Sequence, residues 1–375
     1  MNDLLKSLVA SMEEGEVLDV VAEDTPTETA EVIAVVEAGA QVEQAQDAAE
    51  AVATTTESLE AFNLLIEGRL ASGKGYGLEE MRLFQVGVAT TMNHIGAQAN
   101  FLPSMEDAEI AATEAEAGDE QALIQVSQEA GEGIKATLVK MWEAVKRAVA
   151  RVWEVITTFF AKMFSSLSGL KKRAQALQKV KFSGKAKVKL SDVLSAKGTV
   201  GQVVTDGVAV VRGLGTTAVD AAKLEVEKAR AAAKGEDKEN MEANPDVATV
   251  EAFVKEKGEA KEVELSESDV HAIGKAAADA VGVLEGSKKT SEAIKKNQDE
   301  ALKAAKAAID GTHTSAVAKA ADGVGARLAI RSAKKNVAGP YTKACKHLFG
   351  LAYQAVQVGQ KAASVGGKNK EAAAA

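Results

Sequence analysis

Between residues 134 and 164, apolar residues recur at steps of three and four positions, and this is the strongest periodic pattern in the chain. Side chains at this spacing fall on one face of an α-helix, so the pattern predicts one long amphipathic helix. Lys146, Arg147 and Arg151 lie off that face and make the helix positively charged. The apolar stripe consists of Ile134, Leu138, Met141, Trp142, Val145, Val149, Val152, Trp153, Ile156, Phe159, Phe160, Met163 and Phe164.

The composition of the whole chain favours a mainly α fold. Only four prolines interrupt the 375 residues, and Ala, Lys, Glu and Gln are abundant. Aromatic residues make up 4%, so any core in the Ala-rich parts should be thin. We predict a helical hairpin, a long central amphipathic helix with a short β-hairpin element, and an Ala-rich helical C-terminal domain.

Six segments follow from the shifts in composition along the chain. Residues 1–53 are acidic and lack aromatic residues, which predicts a weakly ordered region that is helical only in context. Thr54 and Glu57 match a capping box, which would open a helical hairpin that extends to residue 102. The remaining segments are an acidic linker (103–132), a basic amphipathic helix with a short β element (133–198), an Ala-rich helical domain (199–365) and a disordered tail (366–375).

Finer features are predicted within the second half of the chain. Gly169 should end the long helix and Lys171 should begin a short one. The alternation over residues 181–190 is typical of a strand or hairpin. Small-residue helices are predicted at about 200–234, 266–308 and 315–337, with a charged linker near 235–246 and a last helix after Pro340.

The basic amphipathic helix admits three interpretations. Most apolar stripes of this kind pack in a protein core. Aromatic residues beside Lys and Arg are also typical of helices that lie on anionic membranes. Alternatively, the cations could neutralise nucleic-acid phosphates without reading bases, or could face the acidic part of the same chain. The candidate contacts to phosphate or an anionic surface are Lys146, Arg147, Arg151, Lys171, Lys172, Arg173, Lys185, Lys187 and Lys189.

Motifs that would support catalysis or cofactor binding are weak. Residues 68–74 match the spacing of a phosphate-binding loop, but Gly75 replaces the hydroxyl residue that would hold Mg²⁺. Cys345 and His347 are two positions apart, which places them on different faces of a helix and favours a buried thiol and a peripheral imidazole over a metal pair. We therefore predict no cofactor, no metal site and no enzymatic activity.

The single cysteine excludes an internal disulfide and suits a reducing compartment. Residues 1–20 lack the basic and apolar regions of a signal peptide. No uninterrupted apolar stretch reaches the length of a membrane-spanning helix.

Charge divides the chain into two parts of opposite sign. Residues 1–132 hold 4 basic and 27 acidic residues, a net charge of −23, whereas residues 133–375 hold 41 basic and 27 acidic residues, a net charge of +14. The basic excess is concentrated in residues 133–198, where 15 basic residues face 3 acidic ones. Such a chain would repel polyanions while whole and attract them once its front part is removed.

One segment order resembles a known family. Helix, Gly-rich break and helix are followed by Leu102-Pro103-Ser104-Met105-Glu106, an acidic linker, and the run from Ile134 to Val145 that leads to Trp153 and Phe159-Phe160. This order, over about residues 54–195, resembles the internal head proteins of giant tailed bacteriophages. The resemblance implies a structural protein of the capsid interior that is made in the host cytoplasm, cut by a prohead protease after a small-x-Glu tripeptide, and retained with the packaged double-stranded DNA or with other head proteins.

Ser104, Met105 and Glu106 form the candidate cleavage tripeptide. The same pattern recurs at Ser11-Met12-Glu13, Ser58-Leu59-Glu60, Ser127-Gln128-Glu129 and Ala130-Gly131-Glu132. Ser104 follows a proline, so we expect an extended, exposed stretch in which a protease could bind.

A cut after Glu106 would remove 4 basic and 19 acidic residues, and it would leave 41 basic and 35 acidic ones, a net charge of +6. A cut after Glu132 would leave +14. The sequence therefore favours an acidic precursor that matures into a basic, DNA-associated form, with the helical hairpin as part of a prodomain. The alternative is a membrane-active or pore-forming protein whose 134–164 helix inserts into a bilayer.

Overall fold

The computed structural model describes residues 26–116, 120–232, 247–310 and 338–374. These residues form eight helices and two strands, in the order α1 (Pro26–Ala71), α2 (Leu78–Asn93), α3 (Met105–Glu116), α4 (Glu120–Leu177), β1 (Lys185–Leu190), α5 (Val200–Ala232), α6 (Val247–Lys255), β2 (Lys261–Ser266), α7 (Glu267–Asp310) and α8 (Ala338–Ala374). The predicted mainly α fold class is confirmed.

The central helix α4 is longer than the apolar stripe predicted. It begins at Glu120 and passes through Gly169 without a break, so the predictions that Gly169 ends it and that Lys171 starts a new helix are wrong. The reason is that buried side chains continue at helical spacing beyond the stripe, at Leu167, Leu170 and Leu177. That burial outweighs the cost of a helical glycine, which is about 1 kcal/mol.

The acidic N-terminal region is also helical within the described residues. Helix α1 places Val35, Ala38 and Val42 in the core, and Thr54 lies in its interior, so the predicted capping box at Thr54 is wrong. Hydroxyl side chains near this point bond back to the carbonyl four residues earlier, as Thr56 does to Val52 at 2.7 Å. A hydroxyl that finds such an acceptor is tolerated inside a helix.

The segment predicted as an acidic linker, residues 103–132, is mostly helical. It contains α3 and the first part of α4. Ala108 and Ala111 are buried on α3, and Ser127 and Ala130 are buried on α4. The acidic side chains that this segment contributes to α3 and α4 are exposed, which is why charge alone indicated a linker.

The main core surrounds the second half of α4. Every stripe residue from Val145 to Met163 is buried in it, Phe164 is half-buried against it, and the side chain of Trp142 lies outside the described residues. Trp153 donates a hydrogen bond from Nε1 to Oε1 of Gln298 on α7, at 2.7 Å. The apolar stripe therefore faces helices of the same chain.

A second core joins the front part of the molecule to the start of α4. Ile66 and Glu67 near the end of α1 lie beside Gly131 and Lys135 near the start of α4, so the two long helices run antiparallel. The buried members of this core are Leu59, Ile66, Met81, Phe84, Val88, Met92, Ala108, Ala130, Ile134 and Met141. The second helix of the predicted hairpin corresponds to α2, which buries Met81, Phe84, Val88 and Met92.

The predicted β element is present as an antiparallel pair. Strand β1 pairs with β2, and the register brings Val188 opposite Val263. The second strand lies about 70 residues farther along the chain, after α5 and α6, and the alternation within residues 181–190 gave no sign of it. Alternate residues of β1 point into the core, and the three lysines of this strand point outward.

The C-terminal half follows the predicted helices closely. Helices α5, α7 and α8 correspond to the predicted helices near 200–234, 266–308 and after Pro340. The predicted linker 235–246 and the predicted helix 315–337 lie outside the described residues. The backbone of α8 continues to Ala374, in contrast to the disordered tail predicted from residue 366. Among the helices of the described residues, none combines the length and apolar character needed to cross a membrane.

Candidate functional site

The candidate cleavage tripeptide lies at the start of α3. Ser104 precedes the helix as its cap: its backbone N–H and Oγ donate to Oδ2 of Asp107 at 3.1 and 2.6 Å, and the Asp107 N–H donates back to its Oγ at 3.1 Å. Ser104 and Glu106 are exposed, and Met105 is half-buried against the second core. The predicted extended stretch is therefore limited to Pro103 and Ser104, and the Glu106–Asp107 bond lies in the first helical turn.

The other tripeptides occupy different environments. Ser58-Leu59-Glu60 lies inside α1, as predicted, with Leu59 fully buried. The pair of tripeptides between residues 127 and 132 lies inside α4, and Ser127 and Ala130 are completely buried. Ser11-Met12-Glu13 lies outside the described residues. Among the candidates within the described residues, Ser104-Met105-Glu106 is thus the one nearest to a helix end.

Glu67 and Glu43 in the acidic front part form ion pairs with the basic part of the chain. Glu67 of α1 accepts from Nζ of Lys135 on α4 at 2.8 Å. Glu43 of α1 lies 3.4 Å from Nζ of Lys346 on α8, whose stem crosses the helix over Gly39. Helix α1 therefore places carboxylates against lysines of two basic helices.

The predicted anionic-surface residues of α4 mostly have acidic or aromatic partners. Lys146 pairs with Glu143 at 2.5 Å, Arg151 pairs with Glu154 at 2.6 Å, and Arg147 donates from Nε to the Glu143 carbonyl at 3.3 Å. These contacts lie within one helix and at its solvent surface, where an ion pair contributes about 0–1 kcal/mol. These contacts therefore hold the three cations only weakly.

The basic triplet near the end of α4 lies between helices. Lys171 pairs with Glu285 of α7 at 2.9 Å. The guanidinium of Arg173 lies over the ring of Tyr353 on α8, with 5.0 Å between Cζ and the ring centroid. Lys172 is exposed and has no ion pair within the part of the chain that the structure describes.

The three lysines of β1 form a row on the exposed face of the strand, and the row faces carboxylates of β2. Lys187 lies opposite Glu264 and Lys189 opposite Glu262 in the register, while Nζ of Lys185 approaches Glu264 at 3.7 Å. The face is therefore mixed in charge, which the sequence of β1 alone did not indicate.

Three glycines lie at close contacts between α4 and other segments, and they were not identified from the sequence. A Cβ at Gly75 would lie 2.3 Å from the carbonyl carbon of Leu123, and one at Gly133 would lie 2.1 Å from the Phe101 carbonyl oxygen. Gly131 receives Cγ2 of Ile66, 3.1 Å from the position of a Cβ. Gly75 and Gly133 therefore permit backbone contact between α4 and the segment that precedes Ser104, and Gly131 permits contact with a side chain of α1.

The residues that the sequence singled out for metal binding, phosphate binding or thiol chemistry lie in separate parts of the described structure. The described ranges contain no group of three or more metal-ligating side chains. The phosphate-loop-like residues end α1 in a turn, with Gly73 at φ 72°. Cys345 is fully buried, and burial raises the pKa of its thiol to about 12, so it stays protonated at neutral pH.

A cavity of about 450 Å³ lies between α5, α6 and α8. Val203, Leu351 and Phe253 line its apolar part, and His347 packs edge-on against the Phe253 ring, with 4.6 Å between the ring centroids. His347 is half-buried, and burial lowers its pKa to about 4. The imidazole is therefore neutral at physiological pH and acts as a packing group.

Comparison with known proteins gives one match. No curated protein and no solved structure matches the chain significantly. A family match covers residues 13–239, which include the front part, α4, β1 and α5. The chain belongs to the family of phiKZ-like phage internal head proteins.

Proposed function

We propose that this protein is a non-enzymatic structural component of the phage head interior, made as an acidic precursor and cut after Glu106 into a basic form that associates with packaged DNA. Membership of an internal head protein family implies a virion protein inside the head. Cleavage and DNA association are the steps that we add. The protease would be the prohead protease, and other head proteins are further candidate partners.

The masking of basic residues by α1 carries this proposal. Glu67 pairs with Lys135, and Glu43 pairs with Lys346. Both carboxylates belong to the segment that a cut after Glu106 would separate from the rest of the chain. Departure of that segment changes the net charge from −9 to +6 and frees both ammonium groups. The precursor would repel polyanions, and the product would attract them.

The position of Glu106 supports cleavage at this site. Ser104 and Glu106 are exposed, and only the cap and the first turn of α3 need to open for the tripeptide to become extended. Helix ends fray at low free-energy cost, unlike buried helix interiors. Processing at this position is therefore compatible with a folded precursor.

The DNA contact would be independent of base sequence. The cations on α4 and β1 are spread over the surface, and their partners are surface carboxylates. Because surface ion pairs contribute little free energy, phosphates could replace these carboxylates as partners. Binding of this type weakens steeply as salt rises because it depends on the release of counterions.

The first experiment is to measure the intact mass and N-terminal sequence of the protein from purified virions. We expect a chain that begins at Asp107, or at Ala130 or Gly133 after a further cut. A virion chain that still carries residues 1–106 would contradict the proposal. A phage with Glu106→Gln should retain the precursor, and Glu109→Gln serves as the matched control because it lies in the same helix outside the tripeptide.

The second experiment compares DNA binding by the precursor and by the virion form. The virion form should bind random-sequence duplex DNA, and its affinity should fall linearly with salt on a logarithmic scale. In the same buffer the precursor should bind far more weakly. Equal binding by the two forms would contradict masking by the front part.

A further inference from the structure

We infer that residues 62–101 act as a cover over the two tripeptides at 127–132, so that processing is ordered: the bond after Glu106 is cut first, and the bonds after Glu129 and Glu132 become accessible only when the cover leaves. This inference rests on the proposed function for its biological setting. The cover itself is a property of the folded chain.

The loop between α1 and α2 forms one side of the cover. The backbone N–H of Tyr76 donates to Oγ of Ser127 at 2.8 Å, and that hydroxyl donates to the Leu123 carbonyl at 2.7 Å. Gly75 lies against the α4 backbone at Leu123 so closely that a Cβ would be excluded. The first residue of one tripeptide is therefore enclosed completely.

Helix α1 and the loop after α2 form the other side. Ile66 of α1 packs onto Gly131, the middle residue of the second tripeptide. The Phe101 carbonyl lies against Gly133, the residue after the Glu132 scissile bond. Ser127 and Ala130, the small residues of the two tripeptides, are both fully buried.

A protease must draw its substrate out into an extended conformation, and the two regions differ in how much structure opposes this. At Glu106, one cap and one helical turn must open. At residues 127–132, a helix interior must unwind while Ile66, the Tyr76 N–H and the Phe101 carbonyl lose their contacts. Cleavage of a folded protein follows the population of the open state, so the second region is cut far more slowly while the cover is in place.

The order has a consequence for charge. A cut after Glu106 yields a product of net charge +6, and a later cut after Glu132 raises it to +14. The strongly basic form would thus arise only after the acidic segment has departed.

A Glu-specific endopeptidase tests the cover on the purified full-length chain. Fragments would be followed by mass spectrometry under native conditions at a low ratio of protease to substrate. We expect the 106–107 bond to be cut early, and the 129–130 and 132–133 bonds to be cut after a lag. Cleavage at 129 or 132 in chains still intact at 106, at a rate equal to that at 106, would overturn the inference.

Two glycine variants of the same helix separate the cover from general helix stability. Gly133→Ala places a methyl group against the Phe101 carbonyl, whereas Gly169→Ala adds one in open space. Both changes strengthen α4 itself. Gly133→Ala should raise the rate of cleavage after Glu129, a bond that residue 133 does not flank, about tenfold. Gly169→Ala should leave it unchanged.

Unchanged cleavage in Gly133→Ala would overturn the inference, provided that circular dichroism shows the native helix content. Failure of this protease experiment would contradict the cover, and it is distinct from failure of the proposed function. An intact chain in virions would contradict maturation but leave the protease protection measured in solution as it is.

Discussion

The hydrogen bond between Trp153 and Gln298 gives the sharpest test of how α4 is held in the main core. The indole Nε1–H and the amide Oε1 are 2.7 Å apart, and the two residues are only 4% and 8% exposed. Replacement of Gln298 by Met keeps the volume similar but leaves the buried indole N–H without its acceptor. An unsatisfied buried donor costs about 1–3 kcal/mol, so we expect the free energy of unfolding to fall by that amount.

A double-mutant cycle isolates the interaction. Trp153→Phe costs stability through the cavity it leaves, but in that background the Gln298 amide has already lost its donor. Gln298→Met should then cost little, which gives a coupling energy of at least about 1 kcal/mol. Urea unfolding followed by circular dichroism at 222 nm measures all four proteins, and Lys295→Met on the exposed face of α7 is the control, with an expected change below about 0.5 kcal/mol.

Equal costs of Gln298→Met in both backgrounds would refute the reasoning. They would mean that the indole is not desolvated between α4 and α7. The interpretation of the stripe as a core surface would then lose its most specific contact, and a helix able to leave the core for another apolar surface would become the better description.

Three further predictions concern stability. Burial, and to a smaller degree the charge of Lys346, lowers the pKa of His347 from 6.5 to about 4. Near pH 5 the unfolded chain therefore binds a proton that the folded chain does not. As a result, the free energy of unfolding should fall by about 2 kcal/mol between pH 7.5 and pH 5. His347→Gln should flatten that slope in urea titrations, and an unchanged slope would contradict the assignment. Phe159→Ala, at a fully buried position, should cost about 3–5 kcal/mol in urea unfolding, and a cost below about 1 kcal/mol would contradict its burial. Glu67→Gln should cost less than about 1 kcal/mol in urea unfolding because its pair with Lys135 is half-exposed, and a larger loss would mean that the pair is desolvated.

Helix content and the core face of α4 were predictable because they depend on local periodicity. The starts of helices were less predictable. The capping pattern at Thr54 predicted a helix start, but Thr54 lies inside α1. The helix cap that does form, between Ser104 and Asp107, was overlooked. Both sites carry a hydroxyl residue followed three positions later by a carboxylate. The difference lies in what precedes them, because buried residues such as Val42 continue the helix up to Thr54, whereas Pro103 interrupts it before Ser104.

Contacts between distant segments could not be read from the sequence. The lysine alternation of β1 was visible, but the carboxylates Glu262 and Glu264 that neutralise it come from a strand about 70 residues away. In the same way, Gly131 was assigned to the linker and Gly133 to the start of the amphipathic helix, and neither assignment indicated the close contact that each makes with the segment before Ser104. A small residue in a sequence does not show whether it faces solvent or another backbone.

The forces that hold the front segment and the forces that would hold DNA differ, and salt separates them. Helix α1 carries nine acidic residues and one basic residue, and it lies beside α4 and α8, which each have a net positive charge. Its ion pairs with these helices lie at the surface, so each contributes little free energy. What binds it is apolar: Val35, Leu59 and Ile66 are each at most 1% exposed. If the proposed mature form binds DNA, raising salt should loosen that DNA, whereas in the uncut chain it should leave the front segment docked and the bonds at 129 and 132 protected. If high salt alone exposed those bonds to the Glu-specific endopeptidase, charge attraction rather than packing would be the force that holds the cover.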